Sequence, residues 1–291
     1  MHWRKRKSES EEFVLLRKMN IKLRPDKEII VEKKKFGNVP VLILRPRDAQ
    51  PLPVGVLWIH GGGYITGLKE MVYMSRAADL VKTFGVTAVS PGYRLAFNKP
   101  YPAAFDDCYE ALEYMHQHSD ELGIRHLIVG GESAGGGLAA AVCMKARDRG
   151  DISIDYQLPL YPMLSNLDTE TSANNSGKIW NTKRNHFGWK MYLRKDAKAA
   201  VSPYAAPAGQ TDYHGLPPCY TFVGDGEPFY AETLDYVKNL QTAGIKAEFD
   251  VYHTNYHAFD MLRPKDEPGK SAILRFSEVF GEILESMNLE V

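Results

Sequence analysis

The chain has 291 residues, 44% of them hydrophobic, enough for one large domain with a sizeable core. Lys plus Arg and Asp plus Glu number 36 each, so the formal net charge is zero, which argues against a nucleic-acid or other polyanionic partner. The three cysteines show no paired spacing, no apolar run reaches membrane-spanning length, and the polar N-terminal stretch lacks a signal-peptide core; a soluble, cytoplasmic protein with free thiols is expected.

Residues 1–24 are charged, with Phe13, Leu15, Leu16, Met19 and Leu23 interspersed. They read as a short amphipathic helix that needs a larger body to lie on. The rest, 25–291, reads as one catalytic-sized domain. Glu28–Lys33 and Val39–Arg45 form a predicted hairpin around Phe36-Gly37-Asn38. Val54 to Ile59 is a continuous apolar run, as expected of a strand buried on both faces. It ends in His60-Gly61-Gly62-Gly63-Tyr64. Consecutive glycines after a strand let the backbone turn its N–H groups into open space, where they can hold a developing oxyanion. His60 is expected to be a structural hydrogen-bonder that shapes this loop.

A helix is predicted over Met71 to Phe84, then a strand over Val86 to Ser90. Phe105, Cys108, Tyr109, Leu112 and Met115 have helical spacing, with Asp106 and Asp107 as first-turn charges. The apolar run Arg125–Val129 leads into Gly131-Glu132-Ser133-Ala134-Gly135, and the helix Leu138–Arg149 follows. This is G-x-S-x-G between a strand and a helix, the setting of a nucleophile elbow, in which a sharp turn lifts the serine hydroxyl above the sheet. Small residues flank the serine because neighbouring backbone passes too close for a side chain. No Lys follows the glycines and no G-x-G-x-x-G is present, so a phosphate loop is disfavoured.

Asp155 to Leu160 continues an alternation of strands and helices, which implies a parallel α/β sheet. From 164 to 204 the pattern breaks into a polar stretch with scattered aromatics, read as an inserted lid. The sheet resumes at Pro218–Val223, before Gly224-Asp225-Gly226-Glu227-Pro228-Phe229. A last strand, Lys246–Tyr252, precedes His253-Thr254-Asn255-Tyr256-His257-Ala258-Phe259, and Ser271–Met287 is a terminal amphipathic helix. Candidate groups thus follow the ends of separate strands: Ser133, a carboxylate at Asp225 or Glu227, and His257 or His253. A serine hydroxyl needs an imidazole within hydrogen-bond reach, and the imidazole needs a carboxylate to fix its tautomer. The order Ser, acid, His is that of the α/β-hydrolases. The nine histidines show no ligand spacing for zinc, so no metal is expected.

Taken together, His60-Gly61-Gly62-Gly63, Gly131-Glu132-Ser133-Ala134-Gly135-Gly136, Tyr93-Arg94-Leu95-Ala96 with Tyr101-Pro102-Ala103-Ala104, Ser202-Pro203-Tyr204 and His257-Ala258-Phe259 resemble the hormone-sensitive-lipase-like family of α/β-hydrolase carboxylesterases. The resemblance implies an α/β-hydrolase fold: a mostly parallel central sheet, flanking helices and a small helical lid built from the N-terminal helix over 1–24 and the insertion at about 164–204. It implies cofactor-free hydrolysis of short-acyl esters, a small-molecule substrate and no membrane partner. It assigns Ser133 as nucleophile, His257 as base, and the amides of Gly61, Gly62 and Ala134 as oxyanion hole. His253 does not match. Where the family has Asp-Pro-Leu, this chain has Glu227-Pro228-Phe229, so Glu227 takes the acid role and Asp225 is the fallback. Phe97-Asn98 replaces the usual Pro-Glu, which touches a loop and not the triad. Family members are often dimers through the last strand, making Lys246–Tyr252 a candidate homodimer edge. Two other readings share the same residues: an amidase or formamidase on this triad, and a non-catalytic small-molecule receptor, which would be expected to lose a triad member.

Overall fold

Val54–Ile59 (β3) is buried at every position, as an unbroken apolar run requires. It lies between Thr87–Pro91 (β4) and His126–Glu132 (β5), parallel to both. In the computed structural model, which describes residues 23–289, these strands form the centre of an eight-stranded sheet. The predicted hairpin is present as Ile29–Phe36 (β1) and Val39–Pro46 (β2), with Gly37 at φ 54° supplying the turn. Beyond β5 come Tyr156–Leu160 (β6), Cys219–Gly224 (β7) and Ala247–Tyr252 (β8). The strand order is β1-β2-β4-β3-β5-β6-β7-β8; β1–β2 and β2–β4 are antiparallel and every other pair is parallel. The α/β-hydrolase architecture expected from the sequence is the one observed.

Helices cover both faces, as a sheet buried on two sides demands. Arg76–Phe84 (α1) and the long C-terminal helix pack against Val54, Val56 and Trp58 on one face. Ala103–Gln117 (α2) and Ala134–Arg149 (α3) pack against Leu57, Ile59 and Val129 on the other. Besides a single turn at Ser119–Leu122, further helices are Thr182–Leu193 (α4), Tyr230–Thr242 (α5), the single turn Phe259–Leu262 (α6) and the C-terminal Glu267–Ser286 (α7).

The helix expected from Met71 is in two pieces. Lys69–Met74 is a 3₁₀ turn, and α1 starts only at Arg76 because the Ser75 hydroxyl caps it, accepting from the Ala77 amide at 3.1 Å. Asp107 is more than a first-turn charge: it is buried and accepts from the Arg94 amide and guanidinium at 2.6–2.9 Å, fixing the loop after β4.

The segment 164–204 has no strand and carries α4, capped by the Asn181 side chain on the Arg184 amide at 3.2 Å. Its aromatics divide: Trp180, Trp189 and Tyr192 are buried and Phe187 is exposed. Tyr192 stacks on Tyr64 at 4.0 Å, so the insertion is packed onto the glycine-rich loop after β3. The expected N-terminal helix over 1–24 falls almost wholly outside the described residues. Among the described residues no helix is long and apolar enough to cross a membrane.

Candidate active site

The turn from β5 into α3 places Ser133 at φ 57°, ψ −120°, a left-handed conformation that costs a non-glycine residue on the order of 1–3 kcal/mol. The surroundings hold it there. Its amide donates to Leu160 O at 3.0 Å, and its carbonyl accepts from Gly137 at 3.0 Å and Met163 at 2.9 Å. The turn is tight enough that a Cβ on Gly135 would lie 2.0 Å from Ile59 O. This is why glycine stands two positions after the serine.

His257 follows β8, and Ala258 after it is left-handed at φ 57°. The His257 Nδ1–H donates to Glu227 Oε2 in a short contact, which leaves Nε2 to accept from the Ser133 hydroxyl at 2.9 Å. Ser133, His257 and Glu227 are 6%, 4% and 0% exposed, so this chain of bonds is shielded from water. Glu227 Oε1 accepts from the Gly224 amide at 2.9 Å, so both of its oxygens are engaged. The imidazole edge is gripped from two sides by Tyr161 and Phe229, with ring centroids at 5.1 and 5.2 Å. The segment 164–204 braces the loop that carries Glu227: Thr171 donates to Pro228 O at 2.9 Å and Asn175 to Gly226 O at 3.1 Å.

Asp225 does not reach His257. It turns outward and pairs with His253 at 2.7 Å, where the imidazole is almost fully exposed. Of the two carboxylates and two histidines the sequence left in play, the buried pair is Glu227–His257 and the surface pair is Asp225–His253.

The candidate oxyanion groups lie against the serine. A Cβ on Gly61 would fall 3.2 Å from Ser133 Cβ, and Gly62 sits at φ 116°. Among the described residues, the amides of Gly61, Gly62 and Ala134 donate to no protein acceptor. The buried His60 imidazole meets Gly61 O through Nδ1 at 2.8 Å and stacks on Tyr93 at 4.2 Å. Burial pushes its pKa down to about 4, so it is neutral at pH 7 and acts as a hydrogen-bonder. Holding the Gly61 carbonyl fixes the peptide plane and sends the Gly62 N–H the opposite way.

Behind the site lies a buried polar network that sequence reasoning missed. Trp58 Nε1–H donates to Glu132 at 2.6 Å. The Tyr161 hydroxyl donates to Asp260 at 2.8 Å, and Asp260 pairs with Arg76 at 3.1 Å. Burial raises the Glu132 pKa to about 8 and also raises that of Asp260, with Arg76 opposing. The only sequence signal for any of these was Glu132, adjacent to the serine inside the motif. A cleft of about 140 Å³ opens over Ser133 and His257, lined by Gly61–Gly63, Met71, Met74, Trp180, Arg184 and Met261. No group of three or more His, Cys, Asp or Glu gathers for a metal ion among the described residues.

Residues 56–261 match the family model described as alpha/beta hydrolase fold. The chain is 30% identical over 232 residues to the carboxylic ester hydrolase LipN of Mycobacterium tuberculosis, covering 77% of this chain and 61% of that protein. Among solved structures it is similar to a bacterial heroin esterase (29% identity, TM-score 0.83, 91% of this chain and 87% of that one). It is also similar to the Pyrobaculum calidifontis esterase (31% identity, TM-score 0.80, 96% and 91%). With the matched family spanning both the serine turn and the histidine loop, the chain belongs to the hormone-sensitive-lipase-like family of α/β-hydrolase carboxylesterases.

Proposed function

We propose that the protein is a serine carboxylesterase acting on short-acyl esters, with Ser133 as nucleophile, His257 as general base and acid, Glu227 as the orienting carboxylate, and the Gly61, Gly62 and Ala134 amides as oxyanion hole. The observation that carries this reading is His257 bridging Ser133 and Glu227 through its two ring nitrogens, in a buried site beside three amides without a protein acceptor.

The chemistry follows from that arrangement. As Ser133 Oγ attacks the ester carbonyl, its proton passes to His257 Nε2 and the carbonyl oxygen becomes an oxyanion facing the three amides. Glu227 stabilises the imidazolium without taking its proton. Collapse of the tetrahedral species breaks the bond to the alkoxide, which leaves with the proton from Nε2. Water, deprotonated by the same nitrogen, then releases the carboxylic acid and restores the serine. The cleft supports a short acyl group: a cavity of about 150 Å³ holds one benzene, and this one is of similar size. We read the insertion 164–204 as the lid that roofs this cleft, since Trp180 both lines it and packs on Gly63.

Turnover of p-nitrophenyl acetate, butyrate and decanoate by the wild type and by Ser133→Ala tests the reading. Rates should fall with acyl length and vanish in Ser133→Ala. Faster turnover of decanoate would overturn the short-acyl assignment, and folded wild type without activity on any ester would overturn the enzyme.

A further inference from the structure

The cleft lining is apolar apart from Ser133, His257, the buried Glu132, the hydroxyls of Thr66 and Tyr161, which donate to Gly62 O and Asp260, and one cation, Arg184. Arg184 sits on α4, in the insertion, and is half-buried. Its Nη1 donates to the carbonyls of Lys178 (2.6 Å) and Ile179 (2.5 Å), which fixes the plane of the guanidinium at the cleft wall. Among the described residues its Nε and Nη2 have no hydrogen-bond acceptor and no carboxylate lies within 4 Å of it. Seven of the described arginines, among them Arg94 and Arg147, have an acidic partner, whereas Arg47 and Arg194, which lie outside the cleft lining, donate to backbone carbonyls.

A guanidinium is always charged, and its remaining donors form a fork that matches a carboxylate. An oriented arginine beside a wall of methionines and a tryptophan attracts little from a purely aliphatic ester. It has much to offer a substrate with a second, ionised group. We propose that Arg184 makes the cleft selective for esters that carry a free carboxylate, such as the half-esters of dicarboxylic acids. The inference rests on the esterase reading above, and names its substrate class. In the bound complex the substrate carboxylate accepts from Arg184 while the ester carbonyl lies at Ser133.

The test compares kcat/KM for monoethyl succinate, glutarate and adipate with that for the matching ω-amide ethyl esters, which keep the shape and lose the charge. The length series is used because the span from Ser133 to the guanidinium selects one member. A half-exposed charge-assisted pair should give the best half-ester about a tenfold advantage over its amide. That advantage should shrink in 0.5 M salt, be lost in Arg184→Met and be partly kept in Arg184→Lys. The ratio is taken within each variant, so a partly unfolded preparation does not mimic the result. Equal rates on half-ester and amide at every length in wild type, or an advantage that survives Arg184→Met, would overturn the proposal. Calorimetric binding of the half-esters to Ser133→Ala separates the two readings. Tighter binding of half-ester than amide without turnover by wild type would sink the esterase and keep the anion site; turnover of p-nitrophenyl acetate without such binding would do the reverse.

Discussion

Glu227 and Asp225 stand two positions apart on one loop and serve different histidines: Glu227 is sealed against His257, and Asp225 pairs with the exposed His253. The Gly224 amide holds one carboxylate oxygen at 2.9 Å and presents the other to the imidazole.

Glu227→Ala should therefore lower kcat on p-nitrophenyl butyrate by about 10³–10⁴, the scale on which losing a triad carboxylate acts. Asp225→Ala should stay within about threefold, since exposed ion pairs contribute little. Steady-state kinetics on the two variants decides it, and the reverse ranking would give the acid role to Asp225.

His60 holds the Gly61 carbonyl, and through it the direction of the Gly62 amide. His60→Phe keeps the stack on Tyr93 and removes the donor. It should reduce kcat about 10–100-fold with KM within about threefold, because an oxyanion donor counts most in the transition state. A change confined to KM would show that the imidazole does not act through the oxyanion hole.

Glu232 is buried beneath the start of the insertion. Its Oε1 accepts from the Leu164 amide at 2.7 Å, and Oε2 has no partner. Burial pushes its pKa up to about 8 from an ordinary 4.5, so folding favours the neutral acid. The stability this acid contributes is present below about pH 4.5 and is lost as pH rises through about 8. Glu232→Gln mimics the neutral form. Between pH 5 and pH 9 its melting temperature should fall less than that of wild type, by about 5 °C. Parallel pH profiles by calorimetry would refute the assignment.

Trp180 lies against Gly63 so closely that a Cβ there would be 2.1 Å from the ring. Trp180→Ala should open the cleft and raise the ratio of decanoate to butyrate turnover about tenfold, read from kcat/KM on the two p-nitrophenyl esters. An unchanged ratio would place the acyl limit elsewhere.

The sheet was legible from the sequence because its strands are short apolar runs punctuated by glycine loops, and the site because strand ends are where α/β sheets display function. The family resemblance favours Glu227 over Asp225 through Pro228, and His257 over His253 through Ala258-Phe259, and the structure pairs the two favoured side chains with each other. What stayed hidden depends on contacts that no local pattern encodes. Trp58 meets Glu132 across 74 residues, and Arg76 meets Asp260 from opposite ends of the domain. Met71 and Met74 continue the apolar pattern and so point to one helix from Met71, whereas the Ser75 cap starts α1 at Arg76. Helix α4 escaped notice because Asn185 and Gly188 lie on its buried side among the aromatics, blurring its amphipathic stripe.

The serine and its imidazole are 124 residues apart, and the imidazole and its carboxylate 30. The serine turn is set by β3, β5 and β6, at the centre of the sheet, whereas His257 and Glu227 hang from β7 and β8 at its edge. On the roles proposed above, a chain that has assembled only the centre holds a nucleophile without a base. Recovery of ester hydrolysis after dilution from denaturant therefore clocks the docking of the last two strands, and should trail amide protection of the central β3–β5 pair.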